Sequence, residues 1–297
     1  MATVLSNGAA GEGAAGAPAE AILLRIQDAL KIVHSPYSSN QSRQDAQSFL
    51  EDIKSLPGAP EHGFTLSFDK SQAPIVRHYG LSLLEHAVKH RWAEYNQDQR
   101  QYLRGWILQL SHGVTKEDPT FLRSKIAQLW AEIAKRCWAA DCMDMDELLV
   151  QLWQDSPTHK EFVLQILEIL SDEIFNGEDA VVAIREGALS KACMEIFTPS
   201  AVLIESFPNR HIGPHVRCGD EGWLTRVTQL IGECLTSGLE QNEEVRACAT
   251  RALAVLNSVV PWVLPRAIHA AGCRPAVCSS LAVPIVSVQK VPSPLIL

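Results

Sequence analysis

No Cys-x-x-Cys pair occurs among the eight cysteines of these 297 residues, so a zinc framework is not expected. Scattered, unpaired thiols fit a reducing compartment better than a disulfide-stapled secreted domain. The sequence also has no run of the ~18–20 apolar residues that a membrane helix needs. Its most apolar stretch, Val259 to Ala271, is broken by Pro261, Pro265, Arg266 and His269. The first residues carry neither a basic segment nor an apolar one, so they do not read as a secretory signal, and no membrane insertion is expected. Basic residues are outnumbered, 26 Lys and Arg against 34 Asp and Glu, which argues against a generally basic nucleic-acid coat and leaves room only for a local basic surface facing a cavity. There is no Gly-rich phosphate loop, no Gly-x-Ser-x-Gly elbow and no His-Glu-x-x-His. No catalytic constellation stands out, and neither enzyme activity nor a cofactor is expected.

The chain does have apolar residues at helical spacing, 46% of the sequence being hydrophobic. A Gly/Ala-rich leader over residues 1–19 and a Pro-broken tail over 269–297 are expected to be disordered, leaving an array over 20–268. Helices are predicted at Glu20–Val33, Gln41–Ser55 with Asn40 as cap, Ala73–Trp92, from the Asn96 cap to His112, and from Pro119 at a first helical position to Cys137. Others follow at Met143–Gln154, Thr158–Phe175, Asp179–Phe197, Gly222–Gly238 and Glu243–Val260. Leu56–Lys70, with Pro57, Gly58, Pro60 and Gly63, reads as a loop with one short helix, and Thr198–Glu221 as a short helix and a long loop.

Helix starts near Gln41, Ala73, Pro119 and Thr158 recur at roughly 30–45 residues, the period of two-helix repeats. Val76-Arg77-x-x-Gly80-x-x-Leu83-Leu84 parallels Val245-Arg246-x-x-Ala249-x-x-Ala252-Leu253. A Val-Arg followed by a small residue is a HEAT-repeat cue, because the small residue lets two helices approach closely. The expected fold class is all-α: a HEAT-repeat solenoid of stacked antiparallel helix pairs.

The run from Val76-Arg77-His78-Tyr79-Gly80 to His90-Arg91-Trp92 resembles the N-terminal region of karyopherin-β receptors, in the exportin-5-like branch. Pro36 with Arg43-x-x-Ala46-x-x-x-Leu50 resembles the first repeat of importin-β-like proteins. Lys135-Arg136-Cys137-Trp138 is similar to the Lys-Arg-x-Trp that ends the family's third repeat. Ala139 stands where the family often has Pro, and Cys142-Met143 where it has Trp-Pro. The resemblance covers about Glu20 to Ile268. It implies a truncated, fungal-type nuclear export receptor whose importin-β-like repeats precede exportin-type ones. The partners it implies are Ran-GTP, nuclear pore FG-repeat proteins, and protein or double-stranded RNA cargo, with shuttling between nucleus and cytoplasm.

In that family the second helices of the first repeats line the inner surface and grip Ran. The resemblance and the helical wheel together nominate Gln44, Ser48 and Glu51, then His78, Ser82, Glu85 and Lys89, then Ser124, Gln128 and Lys135. As plain residues they describe a solvated face, with Glu85 and Lys89 an i,i+4 ion pair. A scaffold that binds proteins without Ran is the competing reading. His78, His86 and His90 read as surface or satisfied histidines, and His211, His215 and Cys218 as too loose a trio for a metal. Asp141, Asp144, Asp146 and Glu147 lack the order of a calcium loop and read as a helix start favoured by the macrodipole.

Overall fold

The computed structural model describes residues 12–207, 216–237, 242–263 and 265–270. The disorder expected for 1–11 and 271–297, and the placing of His211 and His215, concern residues outside those described. Among those described there are thirteen α-helices, one short 3-10 turn at Trp92–Glu94 and no strand. The helices are α1 (Glu12–His34), α2 (Asn40–Lys54), α3 (Ala59–Phe68), α4 (Pro74–His90), α5 (Gln97–His112) and α6 (Thr120–Cys137). They continue as α7 (Met145–Asp155), α8 (Pro157–Phe175), α9 (Ala180–Phe197), α10 (Ser200–Ser206), α11 (Gly222–Thr236), α12 (Glu243–Val259) and α13 (Pro265–Ala270). The all-α array of helix pairs expected from the sequence is what the chain forms.

The chain divides into two compact units, 1–138 with 149–170, and 139–148 with 171–297. In the first, α1 pairs with α2, α3 with α4 and α5 with α6, while the second helices α4 and α6 lie side by side. Its core begins with Ile26, Leu30, Leu50, Ile53, Leu66 and Leu83, all buried, each removing from water an apolar side chain worth about 1.5–3 kcal/mol. In the second unit α11 packs on both α12 and α9. Asp146 is buried there, accepting from the backbone N–H of Cys218 and from Trp223 Nε1, both at 2.5 Å. Burial raises its pKa, although those two hydrogen bonds oppose the shift. Asp146 does stand in the first turn of α7, as expected, and it is also an internal latch that Cys218 meets through its backbone.

Other boundaries also moved. Helix α1 reaches back to Glu12, into the expected leader. The cap of α2 is Ser39, not Asn40: Ser39 has extended backbone and its hydroxyl accepts from Ser42 N–H at 3.1 Å. Pro119 stands just before α6 and not within it, while Asn96 caps α5 in a full capping box with Gln99.

The largest difference is α3, where a loop with one short helix was expected and a ten-residue helix forms. Pro60 sits in its first turn, where a backbone N–H has no partner to lose. Gly63 serves packing. A Cβ on Gly80 would come within 2.6 Å of Gly63 O and 2.9 Å of Ser67 N, and one on Gly63 within 2.8 Å of Gly80 O. The two glycines lie back to back, so α3 and α4 touch backbone to backbone.

At Ala139 φ is +57°, and its N–H donates to Cys142 O at 3.2 Å. A proline there would lack the donor and could not reach that φ. The departure from the family pattern therefore coincides with a turn that proline cannot make.

Two substitutions test these contacts by chemical denaturation. Gly80→Ala should lower stability by roughly 1–3 kcal/mol through overpacking. Gly105→Ala, in α5 with nothing within 4 Å of the added methyl, should raise it by about 0.5–1 kcal/mol through helix propensity. At the turn, Ala139→Gly should stabilise by up to about 1 kcal/mol, and Ala139→Pro should destabilise by roughly 2–3 kcal/mol.

Candidate protein-binding face

The α4 stripe explains the face opposite it. Val76, Tyr79, Leu83, Leu84, Ala87 and Val88 are buried, which turns His78, Ser82, Glu85 and Lys89 away from that core. None of these four is fully exposed, because α6 covers one side of them.

Glu85 is the junction between the two helices. One carboxylate oxygen meets Lys89 at 2.9 Å along α4, and the other meets Lys125 across on α6. Burial alone would raise the Glu85 pKa, but the hydrogen bonds from Lys125 and Lys89 outweigh it and hold the carboxyl below the usual range. Lys89 also reaches Glu132 of α6 at 3.3 Å. Glu132 is 2% exposed and pairs further with Lys135 at 2.9 Å and Arg136 at 2.7 Å. Arg136 closes the circuit by donating to Lys89 O at 3.2 Å. Burial would lower the Lys89 pKa, but its bonds to Glu85 and Glu132 raise it above the usual lysine range.

The other nominated residues divide by helix. On α2, Gln44, Ser48 and Glu51 are all exposed, Glu51 pairing with its neighbour Lys54 at 2.6 Å. On α4, His78 is half-buried and meets Phe121 edge-on, with ring centroids 5.6 Å apart. Burial, then repulsion by Lys125, lowers its pKa against the pull of Glu85. Ser82 Oγ donates to His78 O at 3.0 Å. On α6, Ser124 accepts from Gln165 Nε2 of α8 at 2.8 Å, and Gln128 is half-buried. Lys135 contradicts the wheel. It is 2% exposed and ion-paired, because the last turn of α6 is buried on nearly every side.

Sequence reasoning missed Lys125, Glu132 and Arg136. The i+3 and i+4 spacing of Lys135 and Arg136 from Glu132 was a readable sign of a paired cluster. Lys125 lies 40 residues from Glu85, and no local pattern joins them. The Arg of the Val-Arg cue has a role too. Arg77 is buried and bonds Asp118 at 2.7 Å and Ser67 O at 3.2 Å, tying the turn before α6 to α3 and α4. Asp118 also accepts from Thr115 N–H at 2.9 Å. A cleft of about 540 Å³ opens beside this pair, walled by Phe68, Leu110, Val114 and Ile126. Arg246 of the parallel motif is exposed, so the shared wording does not carry the same burial. His86 and His90 stand with ring centroids 4.9 Å apart, and among the described residues no group of three His, Cys, Asp or Glu converges on one point. No described helix is long and apolar enough to cross a membrane.

Residues 119–195, from the start of α6 almost to the end of α9, match the family described as Exportin 1-like protein. MSN5 of Saccharomyces cerevisiae is 30% identical over 258 residues, 82% of this chain and 21% of that protein. Exportin-5 of Dictyostelium discoideum is 30% identical over 153 residues, covering 52% of this chain and 13% of its own length. The chain is exportin-like. Human Exportin-5 is similar at 29% over 158 residues, again 13% of its length. This exportin-like chain thus spans about a fifth or less of the length of these relatives.

The charge circuit predicts a pH dependence. Glu85 has a folded pKa below its unfolded one, so its stabilising contribution is full above roughly pH 5 and is lost as pH falls through the folded value. The stability difference between the wild type and Glu85→Gln should be largest at neutral pH and shrink below about pH 4. Urea unfolding at several pH values checks this, and a difference independent of pH would contradict it. Lys135→Glu should destabilise strongly, by roughly 3–5 kcal/mol, because it sets two buried carboxylates side by side.

Proposed function

We propose that this chain is part of a nuclear export receptor and that it binds Ran in its GTP form through the polar face of α2, α4 and α6. The observation that carries the reading is the side-by-side arrangement of the second helices in the first unit, with Gln44 and Ser48 exposed on α2. The similarity to Exportin-5 supports it from the other side. On this reading α2 supplies the free polar contacts, and His78, Ser82 and Gln128 the half-buried ones. Glu85, Lys89, Ser124 and Lys135 act mainly by holding the face together. Shuttling between nucleus and cytoplasm, contact with FG-repeat proteins of the pore, and carriage of protein or double-stranded RNA cargo belong to the same proposal for the longer receptor.

A second reading, a HEAT-type scaffold that does not depend on Ran, is favoured by one observation. The charged residues of the face are already paired within the unit, which leaves few charges to a partner. Titration of the full chain with Ran loaded with GTP or GDP separates the two. The export reading predicts GTP-selective binding, weakened on the order of tenfold by Gln44→Ala with Ser48→Ala, a loss of about 1.4 kcal/mol. Equal affinity for both nucleotide states, or no binding, would favour the scaffold.

A further inference from the structure

The turn between α1 and α2 holds a feature that partner binding does not use. It reads Ser35-Pro36-Tyr37-Ser38-Ser39, in which Ser35 itself is half-buried while Pro36 and Tyr37 are exposed, Tyr37 to 94%. A serine followed by proline is the minimal recognition unit of proline-directed kinases, which need the hydroxyl on an accessible turn. Three Ser/Thr-Pro pairs lie in the described residues, and their surroundings differ. Thr198 is 1% exposed, and Ser156 Oγ is held by His159 Nδ1 at 2.8 Å and His159 N–H at 3.2 Å. Ser35 Oγ accepts one weak bond, from Tyr37 N–H at 3.2 Å.

A second observation lies beside it. Arg43 of α2 donates from Nη2 to Ser35 O at 2.8 Å, so the guanidinium is already at this serine. Its Nε is buried and has no hydrogen-bond partner among the described residues. An unpaired buried donor costs about 1–3 kcal/mol and calls for an explanation. A phosphoryl group on Ser35 would offer three acceptor oxygens to a guanidinium that already bonds this residue's carbonyl, and arginine binds phosphate with two parallel bonds from such a fork. The first turn of α2 has no acidic residue to repel it.

We infer that Ser35 is a phosphorylation site of this chain and that Arg43 clamps the phosphoryl group. In the modifying step Ser35 Oγ attacks the γ-phosphorus of ATP in the active site of a proline-directed kinase. The hydroxyl proton passes to the kinase's base, the bond from the γ-phosphorus to the bridging oxygen breaks, and ADP leaves. The product adds between one and two negative charges to the turn that leads into α2, the helix that carries Gln44. The inference needs no Ran and stands or falls separately from the export reading.

The test uses the full chain, a proline-directed kinase and ATP. Mass spectrometry should map a phosphoryl group to Ser35, and Ser35→Ala should abolish it there. Phosphorus NMR then follows the titration of that group. Clamped by Arg43, its midpoint should fall by on the order of half a pH unit below that of a synthetic phosphopeptide spanning residues 33–38. Arg43→Gln should return it to the peptide value. The comparison with the peptide needs no variant and so survives a folding defect. Absence of phosphate from Ser35, or a midpoint equal to that of the peptide, would overturn the inference.

Discussion

Two carboxylates shared between neighbouring helices, Glu85 of α4 and Glu132 of α6, organise the first unit. A helix pair buries its apolar stripe within its own repeat, but the next repeat can still slide along it. Glu85 meets a lysine on each helix, and Glu132 meets Lys89 of α4 as well as two cations of α6. A shift of α6 by one turn would separate these partners while leaving charges in a low-dielectric setting, where an unpaired ion costs several kcal/mol. The network fixes register more than it adds raw stability. Arg77 and Asp118 do the same at the other end of the repeat, and the back-to-back glycines 63 and 80 set the distance between α3 and α4.

This arrangement changes what the polar face of α2, α4 and α6 offers to solvent. Residues that look like a row of free polar groups on a wheel are, on α4 and α6, largely committed to each other. What remains open lies on α2, where Gln44, Ser48 and Glu51 face solvent with at most a neighbouring lysine for company. A partner that replaced the contacts of Lys89 or Lys125 would have to match charge-assisted bonds already made, whereas one that used α2 would displace only water.

Much of this was legible in the sequence. The helix of Val76, Tyr79, Leu83 and Leu84 announced itself because one strong period of 3.6 needs no neighbour to be read. Gly80 was legible as a close-approach residue, since a glycine inside a good helix costs stability and must return something. Its counterpart was not: Gly63 lies among Pro57, Gly58 and Pro60, whose usual meaning is a loop, and only the crossing helix reveals its purpose. The face was half legible for the same reason. The wheel sorts side chains by one helix alone, so it placed Glu85 and Lys89 rightly away from the core. It misplaced Lys135 because α6 is covered on several sides. Asp146 fell in the same gap, its two donors lying more than seventy residues away.

The claim that the charges of α4 and α6 are committed between repeats is tested most directly by a double-mutant cycle of Glu85→Gln and Lys125→Met, read by equilibrium unfolding near pH 7. Two partly buried, directly bonded groups on adjacent helices should show a coupling of roughly 1–2 kcal/mol. A coupling within about 0.3 kcal/mol of zero, at the bottom of what exposed surface pairs give, would contradict the account and return these residues to the solvated face.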